Sequence, residues 1–319
     1  VARGVDRVIA FLFPGQGAQS PGFLHTLGGV VPHPQIEATL SEASDVLKLD
    51  VLDLDSADAL RSTVAVQVAL VVAGVAAMRA LRAQGIECEA AAGLSVGAYG
   101  AAVASGAIAF DDALRLVQLR AQLMERAYPS GYGMLAVLGM NEREIDAAIV
   151  AAGVDDVYIG NLNAPRQIVL AGSDAGLERV RQRVIERGAR RAERLAVSVP
   201  SHCELLDDAA RQLTDAARKI DFAAPRIPYI GNRGARVLRT ADAVRDDLAT
   251  NLRYPVRWHE ASVVLGELGA RVLVEMPPGR TLTQLADEAL PDIAAIAVEA
   301  TSITPVAARV RAALARGGG

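Results

Sequence analysis

The chain has 319 residues, 51% hydrophobic and only 4% aromatic, with 33 basic against 37 acidic side chains for a net charge of −4. That length allows two domains or one large domain with an insertion, and the apolar content excludes disorder as a description of the whole. The acidic balance argues against a protein that grips nucleic acid by neutralising phosphates, while a mean hydropathy of +0.25 raises the question of a membrane.

Along the chain, Arg7 to Phe13 (RVIAFLF) is expected to be a buried strand ending in a tight turn at Pro14 to Gly17. The pattern from Gln35 to Arg82 is helical. Within it Ser62 to Met78 lacks charge, but 17 residues is the lower limit for a bilayer span. Ala90 to Leu94 reads as a short buried strand turning sharply at Ser95 into another helix. The 21 charge-free residues from Ala90 to Phe110 are mostly alanine and glycine, poor inserters, so no membrane span is expected. Asp111 to Ala127 follows as an amphipathic helix, its two aspartates suited to the first turn.

After Pro129 the texture changes. A strand at Met134 to Gly139 precedes a helix at Asn141 to Ala152 capped by Asn141. Strands at Val157 to Asn161 and Gln167 to Ala171 follow, joined through Asn163-Ala164-Pro165, then a helix from Ser173 to Arg187 and a strand from Arg194 to Val199. This is the β-α-β-β-α-β order of a ferredoxin-like unit. Pro129-Ser130-Gly131 and Pro200 flank it, so residues 129–200 are expected to form a small α+β domain inserted into a large α/β domain made of 1–128 and 201–319. The remainder supplies a helix from Glu204, a strand at Ile227 to Gly231 and helices at Ala241 to Leu252 and His259 to Leu268. A strand at Arg271 to Glu275 then runs into a Pro277 to Gly279 turn, and the Gly317 to Gly319 tail is expected to fray. No basic-then-apolar leader opens the chain. Cys88 and Cys203 are too few for a disulfide framework or a zinc knuckle, which makes the cytoplasm the expected compartment.

The strongest local signal is Gly93-Leu94-Ser95-Val96-Gly97, a G-x-S-x-G between a strand and a helix. Glycines there permit a strained turn that lifts the serine hydroxyl clear of the sheet. The alternative is a glycine-rich helix start where Ser95 only caps. A nucleophilic serine needs a base. Of the four histidines, His202 follows a strand end, where active-site residues of α/β domains collect, while His25, His33 and His259 are as easily surface or capping residues. The Gly15-Gln16-Gly17 turn resembles a phosphate loop, but Ser20 stands where a dinucleotide fingerprint needs its third glycine, so NAD binding is excluded. Such a turn is better used to point a backbone N–H at an oxyanion on Ser95. Arg120 shares a helix face with Met124 and is either solvated or functional.

These residues have a familiar layout. In FPGQGAQ (Phe13 to Gln19), GLSVGAYGA (Gly93 to Ala101), RAQLM (Arg120 to Met124), VSVPSHC (Val197 to Cys203), NLRYPVRW (Asn251 to Trp258) and EMPPGRTL (Glu275 to Leu282), the chain resembles the malonyl-CoA:acyl carrier protein transacylase family over nearly its full length. The resemblance implies an α/β-hydrolase-like body with a parallel-sheet core. It implies that Ser95 is the acyl-accepting nucleophile and His202 its base, with the N–H groups of Gln16 and Val96 as oxyanion hole. Arg120 would clamp the free malonyl carboxylate, beside Ser201 and Met124 in the substrate pocket, and the Asn251 carbonyl would orient the histidine. Malonyl-CoA would be the donor, the phosphopantetheine-type arm of a carrier protein the acceptor, with no permanently bound cofactor or metal.

Two positions depart from the family pattern, which commonly has His before the nucleophile and Glu three residues after it; here these are Leu94 and Ala98. Ala98, the Arg3 to Phe13 opening and the MPPG turn look most like the transacylase (epsilon) subunit of malonate decarboxylase, whose carrier subunit would be the partner. The alternative is the malonyl transacylase of fatty-acid or polyketide synthesis. A thioester hydrolase and a non-catalytic binding subunit are the rivals outside that pair. A carrier is usually acidic, so the arginines at 179, 181, 183, 187, 190, 191 and 194 form a candidate docking face, or a solvated face of mixed charge.

Overall fold

The computed structural model describes residues 8–29, 33–299 and 302–316; Arg3, Arg7 and the Gly317 to Gly319 tail lie outside them. The first strand, β1 (Val8–Phe13), is buried over Ile9 to Phe13. The long helical pattern is two helices, α1 (Pro34–Leu47), capped by His33, and α2 (Thr63–Ala83), capped by Ser62. Short 3-10 turns at Val51–Asp55 and Ala59–Arg61 reverse the chain between them. Next come β2 (Ala90–Gly93), α3 (Gly97–Ser105) and α4 (Phe110–Ala127).

The inserted run is β3 (Tyr132–Leu138), α5 (Glu142–Ala152), β4 (Val157–Ala164), β5 (Gln167–Ser173), α6 (Asp174–Glu186) and β6 (Arg191–Arg194). Asn141 and Glu144 form a reciprocal capping box at the start of α5, as S/T/N-x-x-E patterns do. The body resumes with α7 (Asp207–Ala217), β7 (Tyr229–Ile230), β8 (Val237–Leu238), α8 (Ala241–Thr250), α9 (Trp258–Glu267) and β9 (Ala270–Glu275). Three elements that the hydropathy pattern does not announce close the chain: α10 (Thr281–Ala289), β10 (Ala294–Ala297) and α11 (Ile303–Arg316).

Two sheets organise these elements. The larger has the order β10-β9-β1-β2-β7-β8 and is parallel except for β8, which returns antiparallel beside β7. The smaller, β4-β5-β3-β6, is antiparallel with α5 and α6 packed together on it, which is the ferredoxin-like arrangement. The expected fold class, a parallel-sheet α/β body with a small α+β unit, is therefore the observed one.

The high hydropathy has its explanation in α2. This helix is long and apolar enough to match a membrane span, yet 89% of its most apolar stretch is buried inside the protein. Each fully buried Val or Leu there contributes about 1.5–3 kcal/mol relative to exposure. The charge-free Ala90 to Phe110 stretch is likewise β2, a turn and α3. Small side chains let α3 sit close beneath the sheet: a Cβ on Gly100 would meet the Phe13 ring at 2.5 Å.

One strand is misplaced by the sequence pattern. The last strand of the small sheet is Arg191–Arg194, not Arg194 to Val199. The apolar alternation of Leu195, Val197 and Val199 suggested a ladder, but β6 is an edge strand whose exposed charges discourage further pairing. Leu195 still donates its N–H to the Met134 carbonyl of β3 at 3.0 Å, after which residues 196–199 leave the sheet, and Leu195 and Val197 line the cavity between the two sheets.

Candidate active site

The site forms where β1 and β2, adjacent at the centre of the parallel sheet, end together. Their ladder closes at Phe13 against Gly93, and the Leu94 N–H donates to the Phe13 carbonyl at 3.0 Å. The turn after each strand therefore emerges at the same carboxyl edge, where ligands bind in open parallel sheets. Contact between the turns demands glycine. A Cβ on Gly97 would overlap the Phe13 carbonyl, one on Gly93 the Gly97 backbone, and one on Gly15 would meet Leu94 Cδ2 at 2.6 Å. Ser95 itself sits at φ +56, a left-handed conformation uncommon outside glycine, which raises its hydroxyl at the head of α3.

The Ser95 Oγ lies 2.7 Å from His202 Nε2, and His202 Nδ1 lies 2.7 Å from the carbonyl oxygen of Asn251. A carbonyl only accepts, so Nδ1 carries the proton and Nε2 presents its lone pair to the serine hydroxyl. The His202 backbone is fixed too, at φ +68, by its N–H donating to the Leu252 carbonyl at 2.7 Å. Burial, reinforced by the Arg120 guanidinium, pushes the imidazole down to about 3 against two backbone hydrogen bonds that raise it. The ring is neutral at pH 7 and able to accept a proton.

Arg120, on α4, is 1% exposed. Its Nη1 donates to Gln67 Oε1, while Nη2 reaches Ser95 Oγ at 3.2 Å and Asn251 Oδ1 at 3.4 Å. Among the described residues its Nε has no hydrogen-bond partner and no carboxylate forms an ion pair with it. Burial lowers its affinity for the proton, as expected for an uncompensated interior cation. A buried guanidinium beside a serine hydroxyl, without a described counterion, has the chemistry to receive an anionic group.

These groups surround a cavity of about 230 Å³ whose lining includes Gln16, Ser95, Val96, Arg120, Met124, Ser201 and His202 from the body. Met134, Asn161, Asn163, Gln167, Leu195 and Val197 close it from the small sheet and its flank. Every expected site residue is thus brought together, Asn251 through its bond to His202. The backbone N–H groups of Gln16 and Val96 donate to no protein acceptor among the described residues, which leaves both available to a ligand oxygen. Among the other histidines, His25 pairs with buried Asp55 at 2.9 Å and His33 caps α1, while His259 lies in the first turn of α9. Leu94 packs toward Gly15 and Ala98 is fully buried under the turn.

Sequence reasoning missed the polar support. Gln67, 1% exposed, orients Arg120 and donates to Met124 Sδ at 3.5 Å; an amide within the otherwise apolar α2 was its only signal. Asn232, and the cavity-lining Asn161 and Asn163, carry no diagnostic spacing in the sequence.

A serine on a strand–turn–helix elbow, a neutral histidine behind it and a cavity roofed by a ferredoxin-like sheet suit an acyl-group enzyme. Comparison with known proteins agrees. Residues 10–310 match the model of the acyl transferase domain. The chain is 38% identical over 296 residues to the malonyl CoA-acyl carrier protein transacylase of Haemophilus influenzae, covering 91% of this chain and 94% of that one. Among solved structures, the malonyl CoA-acyl carrier protein transacylase of Coxiella burnetii superposes with a TM-score of 0.91 at 32% identity, covering 97% of this chain and 99% of that one. A malonyl-transacylase solved in complex with a type II polyketide acyl-carrier protein gives 0.89 at 37% identity, covering 95% and 99%. The chain belongs to the malonyl-CoA:acyl carrier protein transacylase family of acyl transferases.

Proposed function

We propose that this protein moves a malonyl group from malonyl-CoA to the phosphopantetheine thiol of an acyl carrier protein through an ester on Ser95. The observation that carries the reading is Arg120, a buried cation with no counterion among the described residues, whose Nη2 is 3.2 Å from the nucleophile. It would receive the malonyl carboxylate in a bidentate pair and so select for an acid-bearing acyl group. Ser201 and Met124 shape the space around that group.

In the first half-reaction His202 Nε2 takes the hydroxyl proton as Ser95 Oγ attacks the thioester carbonyl. The tetrahedral oxyanion is met by the N–H groups of Gln16 and Val96. Collapse breaks the carbon–sulfur bond, and the imidazolium, stabilised by the Asn251 carbonyl, returns the proton to the departing CoA thiolate. The second half runs the same steps in reverse with the carrier thiol as nucleophile. Donor and product are both thioesters, so the relay is reversible.

Relatives named as carrier-protein transacylases, one of them bound to a polyketide carrier, support fatty-acid or polyketide synthesis over the malonate decarboxylase subunit expected from Ala98. We divide the chain into a catalytic body of 1–128 and 201–319 and a small domain of 129–200. We place the protein in the cytoplasm, which suits two free, buried cysteines.

Incubation with malonyl-CoA followed by mass spectrometry tests the reading. A malonyl adduct is expected on the parent and absent from Ser95→Ala; an adduct that survives the substitution refutes the nucleophile. Release of free malonate without a carrier would turn the reading to hydrolysis.

A further inference from the structure

We propose that Asn232 is a positioning residue for the reaction, an amide clamp that holds Ser95 in its left-handed conformation and reserves the Val96 N–H for the oxyanion. The inference rests on the reading of Ser95 as nucleophile.

Asn232 follows β7, which pairs with β2 on the side away from β1. Its side chain grips the elbow at two points. Oδ1 accepts from the Ser95 N–H at 2.8 Å, and Nδ2 donates to the Gly93 carbonyl at 2.8 Å. One planar amide thereby fixes the distance and twist between the residues flanking Leu94. A non-glycine residue at positive φ persists only where its surroundings over-determine it. This contact supplies that constraint from 137 residues away in sequence.

The amide is itself held. The Asn232 N–H donates to Asp247 Oδ1 at 2.9 Å, its carbonyl accepts from the Arg257 N–H at 3.1 Å, and Tyr229 Oη donates to the other Asp247 oxygen at 2.9 Å. Asn232 and Asp247 are 4% and 5% exposed, so the side chain has no freedom to flip without orphaning buried groups. Asn232 does not line the substrate cavity. Its influence on the reaction passes through the Ser95 backbone. With its own N–H engaged, Ser95 offers nothing to the oxyanion, and the next N–H, on Val96, takes that task.

The test compares Asn232→Ala and Asn232→Asp with the parent for Ser95 malonylation rate, for kcat and KM with malonyl-CoA, and for Tm. Asn232→Ala is expected to lower the malonylation rate and kcat about 30- to 100-fold with KM within about threefold, the scale of a misplaced reacting group. Asn232→Asp keeps an acceptor for the Ser95 N–H while losing the donor to Gly93, and an intermediate loss is expected. A folded Asn232→Ala enzyme with kcat within twofold of the parent overturns the inference, as does a variant whose only change is a higher KM. Should the alanine variant fail to fold, the aspartate variant decides by the same criterion. A parent that forms no Ser95 adduct overturns the functional reading, and this inference with it; a normal parent with unimpaired variants overturns this inference alone.

Discussion

The two halves that meet at the cavity are built on opposite principles. Around Ser95 the structure is dense: glycines against carbonyls, a buried guanidinium, and Asn232 and Asn251 with both side-chain polar atoms bonded. The small sheet opposite is dressed in charge. Of its clustered arginines, Arg181, Arg183, Arg191 and Arg194 pair with Glu178, Glu186, Glu193 and Asp174 at the surface, whereas Arg179, Arg187 and Arg190 have no ion-pair partner among the described residues. Interior contacts carry large penalties when broken, while surface pairs are screened and lose side-chain entropy on forming. The same residue type therefore differs in consequence on the two sides, and Arg120 is worth more than any arginine of α6.

The largest expected effect comes from the densest point. Gly97→Ala would drive a methyl into the Phe13 carbonyl, and because that contact joins the β1 and β2 turns, neither can yield alone. A loss of more than about 4 kcal/mol in urea unfolding is expected, and parent-like stability would show that the two turns are not locked together. Next is Arg120→Ala, which should reduce the preference for malonyl- over acetyl-CoA by about ten- to a hundredfold, the value of a charge-assisted pair. An unchanged ratio would remove the carboxylate clamp.

The histidine gives an effect of intermediate size with a definite sign. His202 has an ordinary value of 6.5 and a folded value of about 3. Between these the unfolded chain binds a proton that the folded chain refuses, so its contribution to stability is complete above about pH 6.5 and is lost as the pH falls toward 3. His202→Gln should flatten that part of the stability–pH curve. In Arg120→Ala, loss of the neighbouring cation should move the acid limb of kcat/KM to higher pH; a limb that stays in place would mean burial alone sets the imidazole.

The charged half should respond least. Arg183→Ala is expected to leave Tm unchanged within error, since its pair with Glu186 is exposed on both sides. Arg187→Glu with Arg190→Glu should raise KM for an acidic carrier severalfold while leaving KM for malonyl-CoA alone. Equal effects on both substrates would mean these arginines are a solvated face and not a docking surface.

The contrast also explains what could be read from the sequence. Ser95, its flanking glycines and His202 sit in contiguous runs, where local backbone demands leave a local pattern. Asn141 was legible as a cap for the same reason, whereas Ser173, read as the first residue of its helix, is in fact the cap of α6. Asn232 and Gln67 were not, because each matters only once distant strands and helices are neighbours. The edge strand β6 was misplaced because apolar alternation marks burial, and Leu195 and Val197 are turned toward a cavity and not a ladder. The elements after Gly279 are short or amphipathic and lack strong punctuation, so their hydropathy blurred together.

The buried helix α2 has a consequence for the chain before it folds. Its 21 residues have a mean hydropathy of 2.1 in their most apolar stretch and hold no acidic group. Apart from Gln67, Arg79 and Arg82, that segment has the length and composition of a lipid-spanning helix, and the partners that cover it, α1, α3 and α4 among them, make it a core helix. A ribosome releases α1 and α2 before α3 and α4, so for a short interval during synthesis the most lipophilic surface of the protein has only part of its cover. Folding speed in the body is therefore also a sorting decision between water and membrane, and variants that slow it should be found in the membrane or aggregated fraction before they lose activity per folded molecule.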